Sequence, residues 1–284
     1  MGRVPLIPVQ LTHGPFTLNE ARGVGLDRWH LQGARWRRIG PTTYVWAGLE
    51  ETPAIKLAAA RLRLPTTAAF SGRTAAWLHG MDIEPCDPIE VTVPKTSGIS
   101  ARSGLALRRA ALPETHVVIV RGWRATSITR TLADLCGRLS LTEAVVVLDM
   151  ALHSRIVDLK VLKAWAGKLR PVVSLAEPAT ESPMESRLRM LLVLGGLPRP
   201  QAQTRIHDRQ GRFVGRLDLY YPEHRLGLEY DGAIHRDRLA EDNRRQNLLL
   251  GAGVRLLRLL PAISSGHLSR LSLRCEPCWL DAMV

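Results

Sequence analysis

The sequence has few cysteines and no long apolar run, and each absence excludes a class of protein. Four cysteines among 284 residues are too few for the disulfide framework of a secreted domain. No apolar stretch approaches the ~18 residues of a membrane-spanning helix, and the N-terminus has no signal-peptide pattern. With 45% hydrophobic residues the chain can bury cores. We therefore expect a cytoplasmic protein.

Cysteine, a common metal ligand, and lysine, a common catalytic residue, are also scarce near the C-terminus. Cys275 and Cys278 form one CxxC pair, and only His267 lies close to it in sequence. A structural zinc ion needs four ligands, so we interpret this pair as two incidental thiols. No lysine follows Lys168, which excludes lysine chemistry from the last third of the chain.

Basic residues, in contrast, exceed acidic ones throughout the chain. The formal net charge is +13 and the isoelectric point is about 10.5. An excess of this size favours a polyanionic partner such as a nucleic acid. An arginine-rich genome would raise the charge without any ligand, and that alternative stays open.

The first 50 residues are typical of a small winged helix-turn-helix. Thr17 and Glu20 are spaced as a capping box, and Gly25 ends the helix that they begin. Basic and aromatic residues follow, where such a module meets phosphates and a groove. The predicted elements are helices over residues 18–24 and 26–32 and strands at 35–39 and 44–46. The candidate DNA contacts are Arg28, Trp29, Arg35, Arg37 and Arg38. A protein-binding adaptor of the same shape is the alternative.

The spacing of small, aromatic and basic residues in this segment has a family likeness. The residues that carry it are Leu18, Ala21, Gly25, Leu26, Gly33, Trp36, Arg37, Arg38, Tyr44 and Val45. This pattern resembles the N-terminal domain of AbiEi-type antitoxins, which are transcriptional repressors of abortive-infection systems. The resemblance implies DNA binding and a toxin partner.

Three parts are expected along the chain, in a mixed α/β fold. Residues 1–52 form the winged helix, residues 53–175 a mixed middle domain, and residues 176–284 a last domain. The middle part carries helical and β-like segments without evident chemistry, and it either positions the two ends or makes a homodimer contact. The proline-containing stretch 171–183 is predicted to be a linker.

The last part shows the order α-β-β-β-α-β and carries acidic residues within apolar strands. Asp218 lies in one predicted strand and Glu229 in the next, with Asp231 and His235 directly after it. Carboxylates are costly in apolar surroundings unless something pairs with them. A hard divalent cation is one such partner. Arginine is the other, and the alternative is a salt-bridged sheet without a metal.

A second family likeness rests on these residues together with Glu185, Arg216, Gly232, Asp242, Arg245 and Gly253. The pattern is similar to the domain-of-unknown-function 559 family, and so to very-short-patch-repair endonucleases of the PD-(D/E)XK, restriction-endonuclease-like fold. This resemblance implies hydrolysis of DNA phosphodiester bonds with Mg²⁺ or Mn²⁺. It assigns Asp218, Glu229 and Asp231 to the metal, and Glu185 and His235 to supporting or acid–base roles.

One departure from that family pattern concerns the usual lysine. The lysine position, two residues after the second carboxylate, holds Asp231. Arg245 or His235 would have to take its place, and histidine is better suited to proton transfer than arginine. Two hypotheses therefore stay open. The first is a metal-dependent DNA endonuclease or nickase that the winged helix targets to DNA. The second is an AbiEi-like DNA-binding regulator on a catalytically degenerate nuclease fold.

Overall fold

The computed structural model of the protein describes residues 7–100, 104–165, 167–230 and 239–259. The side chains of residues 165, 168 and 239–242 are not among those described. The predicted site residues Asp231 and His235, and the Cys275–Cys278 pair, lie outside the described residues. Two compact units divide the chain, residues 1–138 and residues 139–284. The fold is mixed α and β, as expected, and the three-part division at residues 52 and 175 stays a prediction.

The first unit begins with a small module of one helix and a three-stranded sheet. Its elements are β1 (Phe16–Thr17), α1 (Leu18–Gly23), β2 (Trp36–Arg38) and β3 (Thr43–Trp46), and the strand order is β1-β3-β2. The predicted capping box is confirmed: the Thr17 hydroxyl accepts from the backbone N–H of Glu20, and the Glu20 carboxylate accepts from the Thr17 backbone. Phe16 and Tyr44 form the buried core with Leu31.

The predicted second helix over residues 26–32 is wrong. Only His30–Gln32 is helical, as a single 3-10 turn. Gly25 has φ +81°, so the chain reverses before this segment. The backbone N–H groups of His30 and Gln32 donate to the carbonyls of Asp27 and Trp29 at 3.0 and 3.2 Å, so the segment closes i→i+3 turns instead of an α-helical ladder.

The rest of the first unit is a five-stranded sheet with helices. Its elements are α2 (Pro53–Arg61), β4 (Ala69–Phe70), α3 (Gly72–Leu78), β5 (Ile89–Val93), β6 (Leu105–Arg109), β7 (Val117–Val120), β8 (Trp123–Thr126) and α4 (Ile128–Cys136). The strand order is β6-β5-β4-β8-β7. The sequence predicts β-like segments at residues 89–93 and 117–120, and these form β5 and β7, so both are confirmed. The strands β4, β6 and β8 were not predicted, because β4 has only two residues and β6 ends in two arginines.

The second unit holds the acidic residues. Its elements are α5 (Leu141–His153), α6 (Leu159–Trp165), α7 (Arg170–Leu175), α8 (Pro183–Leu194), β9 (Gln201–His207), β10 (Phe213–Tyr221), β11 (Leu226–Tyr230), α9 (Leu239–Gly251) and β12 (Arg255–Leu259). The sheet order is β12-β11-β10-β9, with β11 and β12 parallel. The predicted order α-β-β-β-α-β is therefore confirmed for α8 to β12.

The predicted linker over residues 171–183 is wrong in its first half. Residues 170–175 form α7, with Pro171 in its first turn, where a missing N–H costs nothing. Val172 and Val173 are buried, so this segment belongs to the core of the second unit.

A buried ion pair fixes α8 against α5. Arg189 of α8 donates to Asp149 of α5 at 2.7 Å, and both side chains are wholly inaccessible to solvent. Asp149 also accepts from the Ser186 hydroxyl and from the backbone N–H of Glu177, and Arg189 donates to the carbonyl of Leu175. This network sets the position of the helix that carries Glu185. Among the described residues, no helix is long and apolar enough to cross a membrane.

Candidate functional site

The first turn of α8 presents Glu185 to the sheet. Ser182 caps the helix, and its hydroxyl accepts from the backbone N–H of Glu185 at 3.2 Å. The Glu185 carboxylate itself accepts from the backbone N–H of Glu181 at 3.0 Å and from Nε2 of Gln203 at 2.8 Å. Although only 7% of the residue is exposed, no cation pairs with it among the described residues.

Asp218 lies in the middle of β10, and its carboxylate accepts from the backbone N–H of Tyr230 at 3.1 Å. Burial raises the pKa of Asp218 to about 6. The negative charges of Glu185 and Glu229 raise this pKa further, whereas the Tyr230 N–H and the Arg245 guanidinium lower it. The pKa of Asp218 therefore responds to the charges of both other acids, and a shared metal pocket of the three side chains stays a prediction.

Glu229, in contrast, is held by arginine. The carboxylate of this buried β11 residue pairs with the Arg245 guanidinium, and the Arg258 guanidinium lies 3.5 Å away. Both of its oxygens face guanidinium groups, and these positive charges compensate the negative charge of Glu229. A cation at Glu229 would have to displace or share these contacts.

The contacts of Arg245 do not support the prediction that it takes the place of the usual lysine. This guanidinium donates to the backbone carbonyl of Arg216 as well as to Glu229, so its donors are directed to protein atoms. Asp231 and His235, the other two residues assigned to the site, lie outside the described residues. Among the residues that are described, no group of three acidic, histidine or cysteine side chains is arranged to hold a metal ion.

Gln203 is a member of this site that the sequence did not reveal. It falls opposite Asp218 in the β9–β10 ladder, between the pairs Leu217–Thr204 and Leu219–Ala202. Its φ of +49° is a left-handed conformation that non-glycine residues adopt at a cost of about 1 to 3 kcal/mol. Its Oε1 is buried and has no hydrogen-bond partner among the described residues. Strain and an unpaired polar atom at one residue are typical of functional sites.

The candidate DNA contacts of the first unit differ in how their side chains are held. Arg28 is exposed, and 68% of Trp29 is exposed, with its ring stacked on His30 at a centroid distance of 3.6 Å. Arg37 pairs with Glu51 at 2.8 Å, and Arg38 donates to the carbonyls of Gly40 and Pro41. The fifth candidate, Arg35, is half-buried.

Three comparisons place the chain among known proteins. Residues 67–192 match the AbiEi antitoxin C-terminal domain. Two relatives from Mycobacterium tuberculosis, Uncharacterized protein MT2308 (strain CDC 1551 / Oshkosh) and Uncharacterized protein Rv2248 (strain ATCC 25618 / H37Rv), are each 30% identical over 167 residues. The match covers 56% of this chain and 60% of each relative, which is less than two thirds of their length.

The solved structure described as the crystal structure of RV2827C protein from Mycobacterium tuberculosis gives a TM-score of 0.41 at 15% identity, over 65% of this chain and 73% of that one. The antitoxin match begins in the first unit and ends in the second, just before the end of α8. It includes Glu185 and stops short of Asp218, Glu229 and Arg245. The chain is therefore similar, over residues 67–192, to the C-terminal domain of AbiEi antitoxins.

Proposed function

We propose that this protein is a DNA-binding regulator of the AbiEi antitoxin type, with a toxin as its protein partner. The observation that carries the proposal is the match of residues 67–192 to the antitoxin C-terminal domain, downstream of a helix and three-stranded sheet at residues 16–46. The net charge of +13 favours a nucleic-acid ligand independently of that match.

In this proposal the N-terminal module holds DNA through Arg28, Trp29 and Arg38. Arg28 and Trp29 lie in the exposed segment between α1 and β2, and Arg38 ends β2. Arg28 has no carboxylate within salt-bridge distance among the described residues, so its charge is available for a phosphate. Arg37 has its guanidinium engaged with Glu51 and with the carbonyl of Leu49, and it stabilises the sheet instead.

The test is a gel-shift titration of duplex DNA taken from upstream of the protein's own gene. We expect Arg28→Glu to weaken binding about tenfold or more, because the variant no longer neutralises one phosphate and introduces a repulsive charge. Lys163→Glu is the matched control, since Lys163 is an exposed residue of α6 and the net charge changes equally. Equal affinities for the two variants would contradict DNA binding by this module.

A second candidate function, a metal-dependent DNA endonuclease, is favoured by one specific observation. Asp218 carries a raised pKa beside Glu185 and Glu229, and an excess of buried carboxylates is the setting in which Mg²⁺ binds. Asp218 and Glu185 have the chemistry of hard-cation ligands, whereas Glu229 has both oxygens at guanidinium groups. The resemblance of the sequence pattern to very-short-patch-repair endonucleases implies this candidate, and it stays a prediction.

Calorimetric titration of Mn²⁺ into the full chain separates the two candidates. The nuclease hypothesis requires a saturable heat that Asp218→Asn removes. Ser97→Ala is a control outside the cluster, in the first unit. The regulator hypothesis expects no difference between wild type and Asp218→Asn, since the cluster then holds no ion.

A further inference from the structure

We propose that the second unit binds single-stranded nucleic acid in a cleft between β10 and α9. The cleft has a volume of about 590 Å³. Its lining includes Phe213, Arg216, Asp218, Arg244 and Arg245. This surface lies in the second unit, whereas the proposed operator contacts lie in the first. The inference therefore goes beyond the proposed function.

Positive charge dominates among the described residues of the cleft. Three guanidinium groups and one carboxylate of these residues line it. A fourth arginine, Arg205, lies directly opposite Arg216 across the β9–β10 ladder. Like charges at opposed positions destabilise a sheet unless a partner of opposite charge is present. Glu181 is such a partner for Arg216, and a nucleic-acid backbone supplies one for Arg205.

Only part of this charge is compensated within the protein. Glu181 holds Arg216 through two hydrogen bonds of 2.7 Å, and Glu229 holds Arg245. Arg205 and Arg244 have no carboxylate within salt-bridge distance among the described residues. We assign these two guanidinium groups, which have no carboxylate partner among the described side chains, to phosphate groups of the ligand.

An aromatic platform adjoins these charges. The side chain of Phe213, which also lines the cleft, is 53% exposed. The Arg205 guanidinium lies 4.6 Å from the centre of this ring, and His207 makes an edge contact at 6.0 Å. Exposed single apolar residues are ordinary, but an exposed ring beside unpaired arginines matches the way that single strands are held.

A single strand fits these features better than a duplex. Stacking on Phe213 needs a base whose face is accessible, and duplex bases stack on one another. Single-strand grooves combine a positive path for the backbone with aromatic rings for the bases, and they tolerate any sequence. Phe213 and Arg205 supply the ring and its guanidinium neighbour, and Arg244 supplies a phosphate contact.

The test is a fluorescence anisotropy titration of the full chain with labelled oligothymidylate and oligouridylate of about 12 nucleotides. We expect Phe213→Ala to weaken binding by about 5- to 100-fold, the effect of removing one base–aromatic stack. We expect Arg244→Glu to weaken binding as well. The slope of log affinity against log salt concentration is expected to fall in magnitude by about 0.7 for each phosphate that the variant no longer neutralises. The oligomer that binds more tightly identifies DNA or RNA as the ligand.

Two matched controls accompany these variants. Leu194→Ala removes an exposed apolar side chain of α8, 58% exposed, that does not line the cleft. Lys163→Glu reproduces the charge change of Arg244→Glu elsewhere. Binding that is absent in wild type at low salt, or that Phe213→Ala and Arg244→Glu leave at the level of the controls, would overturn the proposal. Arg28→Glu, which tests the operator contacts, is expected to leave oligothymidylate binding unchanged, so the two proposals fail separately.

Discussion

Two buried charge clusters of the second unit differ in their balance, and the difference separates structure from function. In the first, Asp149 pairs with Arg189, a hydroxyl and a backbone N–H donate to the carboxylate, and the guanidinium donates to a backbone carbonyl, while its Nε has no hydrogen-bond partner among the described residues. The second cluster contains three acids, Glu185, Asp218 and Glu229. Its two arginines, Arg245 and Arg258, both pair with Glu229. A balanced pair fixes two helices, whereas a surplus of acid is costly unless a ligand or a proton offsets it.

The largest expected effect comes from unbalancing the first cluster. Arg189→Ala leaves the Asp149 carboxylate buried without its cation, and we expect the free energy of unfolding to fall by about 3 to 5 kcal/mol. Chemical denaturation monitored by circular dichroism measures it. The double variant Asp149→Leu with Arg189→Met is expected to recover much of this loss, because a buried pair can be replaced by apolar groups. A loss below about 1 kcal/mol for Arg189→Ala would show that the pair does not hold α5 to α8.

An intermediate effect is expected at the acid that arginine compensates. Glu229→Gln removes the charged acceptor of Arg245 and Arg258, and we expect a loss of about 1 to 2 kcal/mol. The loss is smaller than for Arg189→Ala because both arginines are partly exposed and water replaces the carboxylate. The same denaturation measurement applies. A loss as large as that of Arg189→Ala would remove the distinction between the two clusters.

The smallest effect, and one of opposite sign, is expected at Asp218. The folded-state pKa of Asp218 is raised to about 6, so the folded protein binds this proton more tightly than the unfolded chain does. The contribution of Asp218 to the free energy of unfolding is therefore fully present at low pH and is lost as the pH rises from about 4 to 6. In chelator at pH 7.5, Asp218→Asn is expected to raise stability by roughly 1 kcal/mol after allowance for solvent screening.

The control for that prediction is the same pair of proteins at pH 4. There the carboxyl group of Asp218 is protonated in the folded state, so wild type and Asp218→Asn are expected to melt within about 2 °C of each other. An Asp218→Asn variant that is less stable than wild type at pH 7.5 would show that the ionised form is favoured in the folded protein.

The sequence predicted those parts of the fold that depend on local signals. The Thr17–Glu20 capping box marks a helix start by side-chain chemistry and is confirmed. The sequence Ser182-Pro183, a cap followed by proline at the first helical position, predicts the start of α8 in the same way and is also confirmed. The apolar residues that flank Asp218 and Glu229 predicted β10 and β11, and both strands are confirmed. The predicted 26–32 helix is wrong because this segment closes i→i+3 turns at His30 and Gln32 and the backbone becomes extended at Gly33.

The candidate site was predictable only in part, for a related reason. Acids within apolar strands identified Asp218 and Glu229, because their residue types conflict with their surroundings. The arginine partners of Glu229 were left open, since they come from α9 and β12 and depend on tertiary packing. Gln203 could not be identified, because a left-handed φ in a strand is a property of the fold and glutamine has no preference for it.

The regulator account is tested most directly by incubating supercoiled plasmid that carries the upstream DNA with the full chain, in Mg²⁺ and then in Mn²⁺. Half of each reaction is examined for retarded mobility and half, after protein removal, for nicked or linear forms. The account predicts retardation that Arg28→Glu weakens, and no nicking in either metal. Metal-dependent nicking that Asp218→Asn abolishes would contradict it and establish the endonuclease in its place.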